Sequence, residues 1–144
     1  MIDLGSYRLG WERLAASVPS VGRVVPVTLD AGISRDVQSM TIGDVGLFWL
    51  APESSDVSRS ADSTAEVSEC LVFVVEKYNA KEPAMSVLER TQPVIEAVKN
   101  WLRGEYSGGC SPAQLVAGSM VTMPETKLYA GLAGWSLGFK LSSD

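Results

Sequence analysis

The sequence predicts an α+β fold, a mostly antiparallel sheet of four or five strands with two helices packed on one face. Three observations predict it. Two segments, at the start of the chain and near residues 84–103, repeat apolar residues at helical spacing. Several runs rich in β-branched and aromatic residues read as strands. Strands and helices do not alternate regularly, which argues against a doubly wound parallel sheet. A chain of 144 residues has room for one domain of ordinary size, so a single unit over 1–144 is expected, and no internal repeat is evident.

The elements follow in order. Leu4, Tyr7, Trp11, Leu14 and Val18 succeed one another at intervals of three and four, one apolar stripe of a helix. Asp3 is placed to cap its start and Pro19 to end it. Residues 22–30 read as a strand, with Pro26 at an edge or bulge because it lacks a ladder donor. Residues 31–44 show no strong period and are expected to be a loop. Residues 45–51 form a short apolar strand closed by Pro52. Residues 52–66 are serine-rich and acidic with almost no large apolar residues, which predicts a long loop. Residues 66–78 are the strongest strand. Cys70, Val72 and Val74 share one face and Leu71, Phe73 and Val75 the other, so both faces should be covered. A turn at 79–83 leads to a second helix reaching about residue 103, kinked or divided at Pro93 and stopped at Gly104. Residues 111–118 fit either a short helix or a strand. Residues 120–123 look extended up to Pro124, and Trp135, Leu137, Phe139 and Leu141 alternate with small or polar residues in a closing half-buried strand.

Charge and composition exclude several functions. Seventeen acids against 12 bases give a net charge of −5. Without basic clusters a dedicated nucleic-acid binder is not expected. The charge is also local. In residues 52–69, Glu53, Asp56, Asp62, Glu66 and Glu69 face Arg59 alone, leaving the rest of the chain nearly neutral. There is no histidine, which removes the commonest general base and metal ligand. The two cysteines, Cys70 and Cys110, form no C-x-x-C and are expected as buried free thiols. The N-terminus has no basic start followed by an apolar run, and no apolar stretch is long enough to span a bilayer, so a soluble protein of a reducing compartment is expected.

Gly134-Trp135-Ser136-Leu137-Gly138 matches the G-x-S-x-G pattern of serine hydrolases. That chemistry needs a strand before the serine, a helix after it and a histidine base. Here the pentapeptide lies in a strand-patterned run close to the last residue. Ser136 is therefore read as the solvent side of a strand, and a small hydrolase using Ser136 or the acidic segment is the rival reading from another class. The acidic residues do not follow the spacing of a calcium loop, and the Gly43/Gly46 and Gly108/Gly109 pairs lack phosphate-loop spacing. No catalytic residue, metal or cofactor is expected. What remains is surplus apolar material. Phe48, Trp49, Tyr129 and Trp135, with both faces of the 70–75 strand, exceed what two helices easily cover, and they are candidate subunit-interface aromatics.

Four segments carry a resemblance to a known family: WERLAASVPSVGRVVPVTL, VGLFWLAP, VFVVEKYNAKEPAMSVLERTQPVIEAVKNWLRG and GWSLGFKL. In pattern and order they resemble the tail terminator, or tail completion, proteins of long-tailed bacteriophages, particularly contractile-tailed ones. The resemblance implies a non-enzymatic structural virion protein at the tail–neck junction, assembled in the host cytoplasm. It implies a homo-oligomeric ring, usually a hexamer. That ring caps the tail tube, ends its polymerisation, and meets the tube protein and the sheath or head-completion proteins. DNA passes through without specific binding. In such a ring Glu53, Asp56, Asp62, Glu66 and Glu69 are candidate channel or interface residues, since negative charge repels the phosphate backbone. Another neck or connector protein, such as a head-completion protein, is the alternative within the class.

Overall fold

The structure is a computed structural model that describes residues 1–28, 32–57, 65–108, 111–129 and 131–143, with the backbone alone for 32–34 and 127–129. Its elements are α1 (Leu4–Ser17), β1 (Arg23–Pro26), α2 (Gly32–Ser39), β2 (Val45–Trp49), β3 (Glu53–Asp56), β4 (Glu66–Lys77), α3 (Ala84–Glu105), β5 (Ala113–Leu115), β6 (Val121–Tyr129) and β7 (Leu132–Ser143). This is an α+β fold, with a seven-stranded sheet and three helices among the described residues. The count exceeds the expected four or five strands and two helices.

Two twelve-residue strands organise the sheet. β4 and β7 pair antiparallel along their whole length, from Glu66↔Ser143 to Lys77↔Leu132. The outer side of β4 carries β2 and then β3, and the outer side of β7 carries β6 and then β5. Among the described strands only β1 pairs parallel, with β2. A parallel neighbour requires a crossover of a dozen or more residues. Residues 27–44 supply it, and they contain α2 where a loop was expected.

That crossover also corrects the layering, because the helices lie on both faces. On the first face, Tyr7, Trp11 and Leu14 of α1 and Val94, Ile95, Val98 and Leu102 of α3 pack on Leu47, Val72, Val74, Leu137, Phe139 and Leu141. Edge-to-face contacts of Tyr7 with Trp11 and Trp49, at 5.5 and 5.6 Å between centroids, tie this core together. On the second face, Val37 and Met40 cover Val25, Phe48, Val75 and Leu132. α2 is too short for its sequence period to register, and tertiary bonds hold it. The Lys77 ammonium donates to the carbonyls of Val37 and Met40 at 3.1 and 2.9 Å. The Arg23 guanidinium donates to Ser39 Oγ at 2.6 Å.

Local chemistry accounts for the other boundaries. Asp3 Oδ2 accepts from the backbone N–H and the hydroxyl of Ser6, both at 2.8 Å, and caps α1. α3 is not divided at Pro93. The proline lies on the solvent side of the helix, where the loss of its donor to the Glu89 carbonyl is tolerated. Nor does Gly104 stop α3, which runs on to Glu105 and closes with the Tyr106 N–H on the Leu102 carbonyl. β6 continues through Pro124 because it is an edge strand, where a missing donor is tolerated. The tight β6–β7 connection uses Gly131 at φ 80°, a conformation open to glycine. No described helix is long and apolar enough to cross a membrane.

Candidate functional site

The acidic segment is not one long loop. Its first part is β3, whose sequence, Glu-Ser-Ser-Asp, has no apolar residue. It is a strand because its backbone pairs with the start of β4 in an unbroken register. Ser54 and Ser68 also share a hydroxyl–hydroxyl bond of 2.8 Å across the pair. Glu66 and Glu69 belong to β4 itself, and the Val57 N–H donates to the Ala65 carbonyl to lead into the tip. Asp62 and Arg59 lie outside the described residues.

The result is an acidic hairpin at one end of the sheet. Its register sets Glu53 opposite Glu69 and Asp56 opposite Glu66, like charges that destabilise a sheet when nothing offsets them. The Lys140 ammonium stands 3.7 Å from Glu69 and the N-terminal ammonium 2.6 Å from Glu66. The side chains of Glu53 and Asp56 are exposed.

The candidate interface aromatics fare differently. Phe48 is 2% exposed in the second core and Trp49 4% exposed in the first, so neither offers surface to a neighbour. The expectation failed because it assumed one covered face, whereas the sheet has two. Trp135 is half-buried and its indole N–H donates to the Leu88 carbonyl at 3.2 Å, which anchors α3 to β7. The side chain of Tyr129 lies outside the described residues.

One patch of exposed apolar surface lies on the part of the second sheet face that α2 does not reach. Two cross-strand rows meet there. Leu71, Gly138 and Val121 form one, and Phe73, Ser136 and Met123 the next. Leu71 is 37%, Val121 58% and Met123 55% exposed. Small residues of β7 make a floor between ridges on β4 and β6, a shallow trough. At one end stand Glu53, Glu69 and Lys140, and Glu125 of β6 flanks the other. The signal for half of this site was legible in the two-faced apolar pattern of β4. The other half, Val121 and Met123 two residues apart, was hidden by reading Pro124 as a strand end.

Other groups with chemical potential are held quiet. Ser136, expected on the solvent side of its strand, is buried at 6% exposure; it lies in mid-strand, so the G-x-S-x-G run does not form a strand-to-helix elbow. Burial pushes the Cys70 thiol up to about 11 and the Tyr106 hydroxyl to about 12, and holds Tyr7 well above the usual phenol range, so all three stay protonated at neutral pH. Cys110 lies outside the described residues. A hollow of about 230 Å³ beside the start of α1, lined by Ile2, Tyr7, Tyr106 and Pro112, is flanked by the Arg13–Glu105 ion pair at 2.5 Å. Among the described residues no group of three or more Cys, Asp or Glu is placed to hold a metal ion.

Neither the protein-family models nor the curated proteins contain a match to this chain.

Proposed function

We propose that this protein is a ring-forming structural subunit of a phage virion, a tail terminator that caps the tail tube, ends its growth and joins the tail to the neck. The observation that carries the reading is the uncovered apolar trough at Leu71, Phe73, Val121 and Met123. It is an exposed apolar surface on a sheet whose central strands are covered on both faces by the two cores. The resemblance supplies the kind of assembly. Its four segments cover the second half of α1 with β1, β2, the second half of β4 with α3, and most of β7.

The acidic hairpin has a role in this reading. Carboxylates lining a channel repel the phosphate backbone and keep DNA moving. Replacing Glu53, Asp56 and Asp62 by lysine leaves ring assembly intact and hinders DNA passage, read as a fall in infectivity of assembled particles. Normal infectivity removes the channel role. The reading as a whole is tested by adding the purified chain to polymerising tube protein, where capped tubes of arrested length are expected. Tubes that grow unchanged refute it. A head-completion protein of the same neck is separated by labelling: a terminator co-purifies with detached tails, and a head-completion protein with tailless heads.

A further inference from the structure

We propose that the hollow between the end of α3 and the β5–β6 turn is a binding site for a small carboxylate with an apolar body. The site does not depend on the ring reading.

The hollow measures about 380 Å³ and is lined by Arg103, Leu115, Val116, Ala117, Gly118 and Met120. An apolar cavity of about 150 Å³ already holds benzene, so this one has room for an aromatic ring with a short arm. Its walls are held in place. Leu115 and Met120 pack against the first core. The Val116 N–H donates to the Lys140 carbonyl at 2.9 Å. The Ser119 N–H donates to the Val116 carbonyl at 3.1 Å, closing a turn that has Gly118 at φ 72°. The Lys140 N–H donates in turn to Ser119 Oγ at 3.0 Å. A wall tied to β7 in this way is ordered before a ligand arrives, which lowers the cost of binding.

The charge of the lining selects the ligand. Among the described residues that line the hollow, Arg103 is the one charged residue, and no side chain carries an oxygen acceptor. Arg103 stands in the last turn of α3. Other arginines are matched by carboxylates, Arg8 by Glu12, Arg13 by Glu105, and Arg90 by Glu76 and Glu82. Arg103 has no such match among the described residues. It donates to Asn100 Oδ1 at 2.9 Å, a neutral group that leaves its charge uncompensated. In a chain of net charge −5, this hollow therefore presents positive charge alone.

An apolar lining with a few placed polar groups is the ordinary composition of a small-molecule site. A guanidinium offers its N–H groups in a fork that fits the two oxygens of a carboxylate. A neutral ligand would leave Arg103 unmatched, and an amine would be repelled by it. A carboxylate whose apolar part rests on Leu115, Val116 and Met120 satisfies both halves of the hollow.

Titration with phenylacetate, followed by amide NMR of the whole chain, tests the site. Saturable shifts are expected at residues 115–120 and in the last turn of α3, with a Kd in the millimolar range for so small a ligand. Phenethyl alcohol and phenethylamine have nearly the same shape and are expected to bind about tenfold more weakly or less. Arg103→Gln removes the cation, and Ala117→Glu supplies it with a carboxylate. Both positions are exposed, so native spectra are expected, and if one variant fails to fold the other carries the test. Each should weaken phenylacetate about tenfold. The proposal is overturned by an alcohol that binds as tightly as the carboxylate, or by variants that bind phenylacetate as the wild type does. Shifts confined to residues outside 101–120, or none at about 20 mM phenylacetate, overturn it equally.

Discussion

Among the described glycines, the tightest backbone approach is at Gly134, on β7 opposite Val75. A Cβ added there would overlap the Val74 carbonyl oxygen and sit 2.8 Å from the Val75 Cα. Both obstacles are backbone, so no rotamer change relieves the clash. β4 and β7 would have to separate locally by roughly 1 Å, a fifth of the usual strand spacing, loosening one or two ladder bonds worth about 1 kcal/mol each. Overpacking adds about 1–3 kcal/mol, and the lost flexibility of glycine in the unfolded chain returns about 0.5–1 kcal/mol. Gly134→Ala is therefore expected to destabilise by about 3 kcal/mol, a fall in Tm of about 10 °C for a chain of this length. Gly138→Ala is the control. Its nearest neighbour would be the Cys70 carbonyl oxygen at 3.9 Å, an ordinary contact. Differential scanning calorimetry of both variants decides the matter. A Gly134→Ala protein melting within about 2 °C of wild type refutes the β4–β7 register, and with it the trough built on that register.

Three further outcomes follow from the polar contacts. Glu76 is buried and held by the Arg90 guanidinium, so Arg90→Ala should lower the urea midpoint more than Arg8→Ala, which breaks an exposed ion pair. Lys77→Met removes the two bonds that hold the end of α2 and should cost about 1–3 kcal/mol, seen first as faster hydrogen exchange in α2 than in α3. Stability should also depend on pH at both extremes. Asp3, Asp44 and Glu82 are held below the usual carboxyl range, the first two chiefly by the N–H groups of Ser6 and Thr41 and the third by Arg90. Their contribution is full above the unfolded values near 4 and is lost as pH falls through the lowered ones. Cys70 and Tyr106 are raised by burial from 9.0 and 10.0 to about 11 and about 12, so their contribution is full below pH 9 and is lost as pH rises through 11–12. Denaturant midpoints that do not change between pH 8 and 12 would contradict this.

Long periodic segments announced themselves, and short or polar ones did not. The stripe from Tyr7 to Val18, the two-faced run of β4, the helix from Ala84 and the alternation of β7 each span three or more repeats of their own period, and burial fixed them, although Leu4, the first member of the expected stripe, is 51% exposed. α2 has eight residues, and among its described side chains Val37 faces inward, joined by Met40 just past its end. Its helix depends on Lys77, 37 residues on from Met40. β3 has no apolar residue, and its strand exists through a pairing partner ten residues further along the chain, a relation that composition does not record. The same blindness misplaced the candidate site. Phe48 and Trp49 looked like surplus until α2 and α1 supplied cover for both faces. Val121 and Met123 looked like the end of a strand until β6 proved to be an edge that tolerates Pro124. Glu53 and Asp56, expected in a loop, stand in β3 paired with the start of β4.

The central claim is that this chain assembles into a ring, and a negative-stain image of the purified protein tests it most directly. The account predicts uniform particles with a central hole and cyclic symmetry, their mass a fixed multiple of the 15.4 kDa chain. Monomers at every concentration, with no ring forming at the ends of added tail tubes, would contradict it.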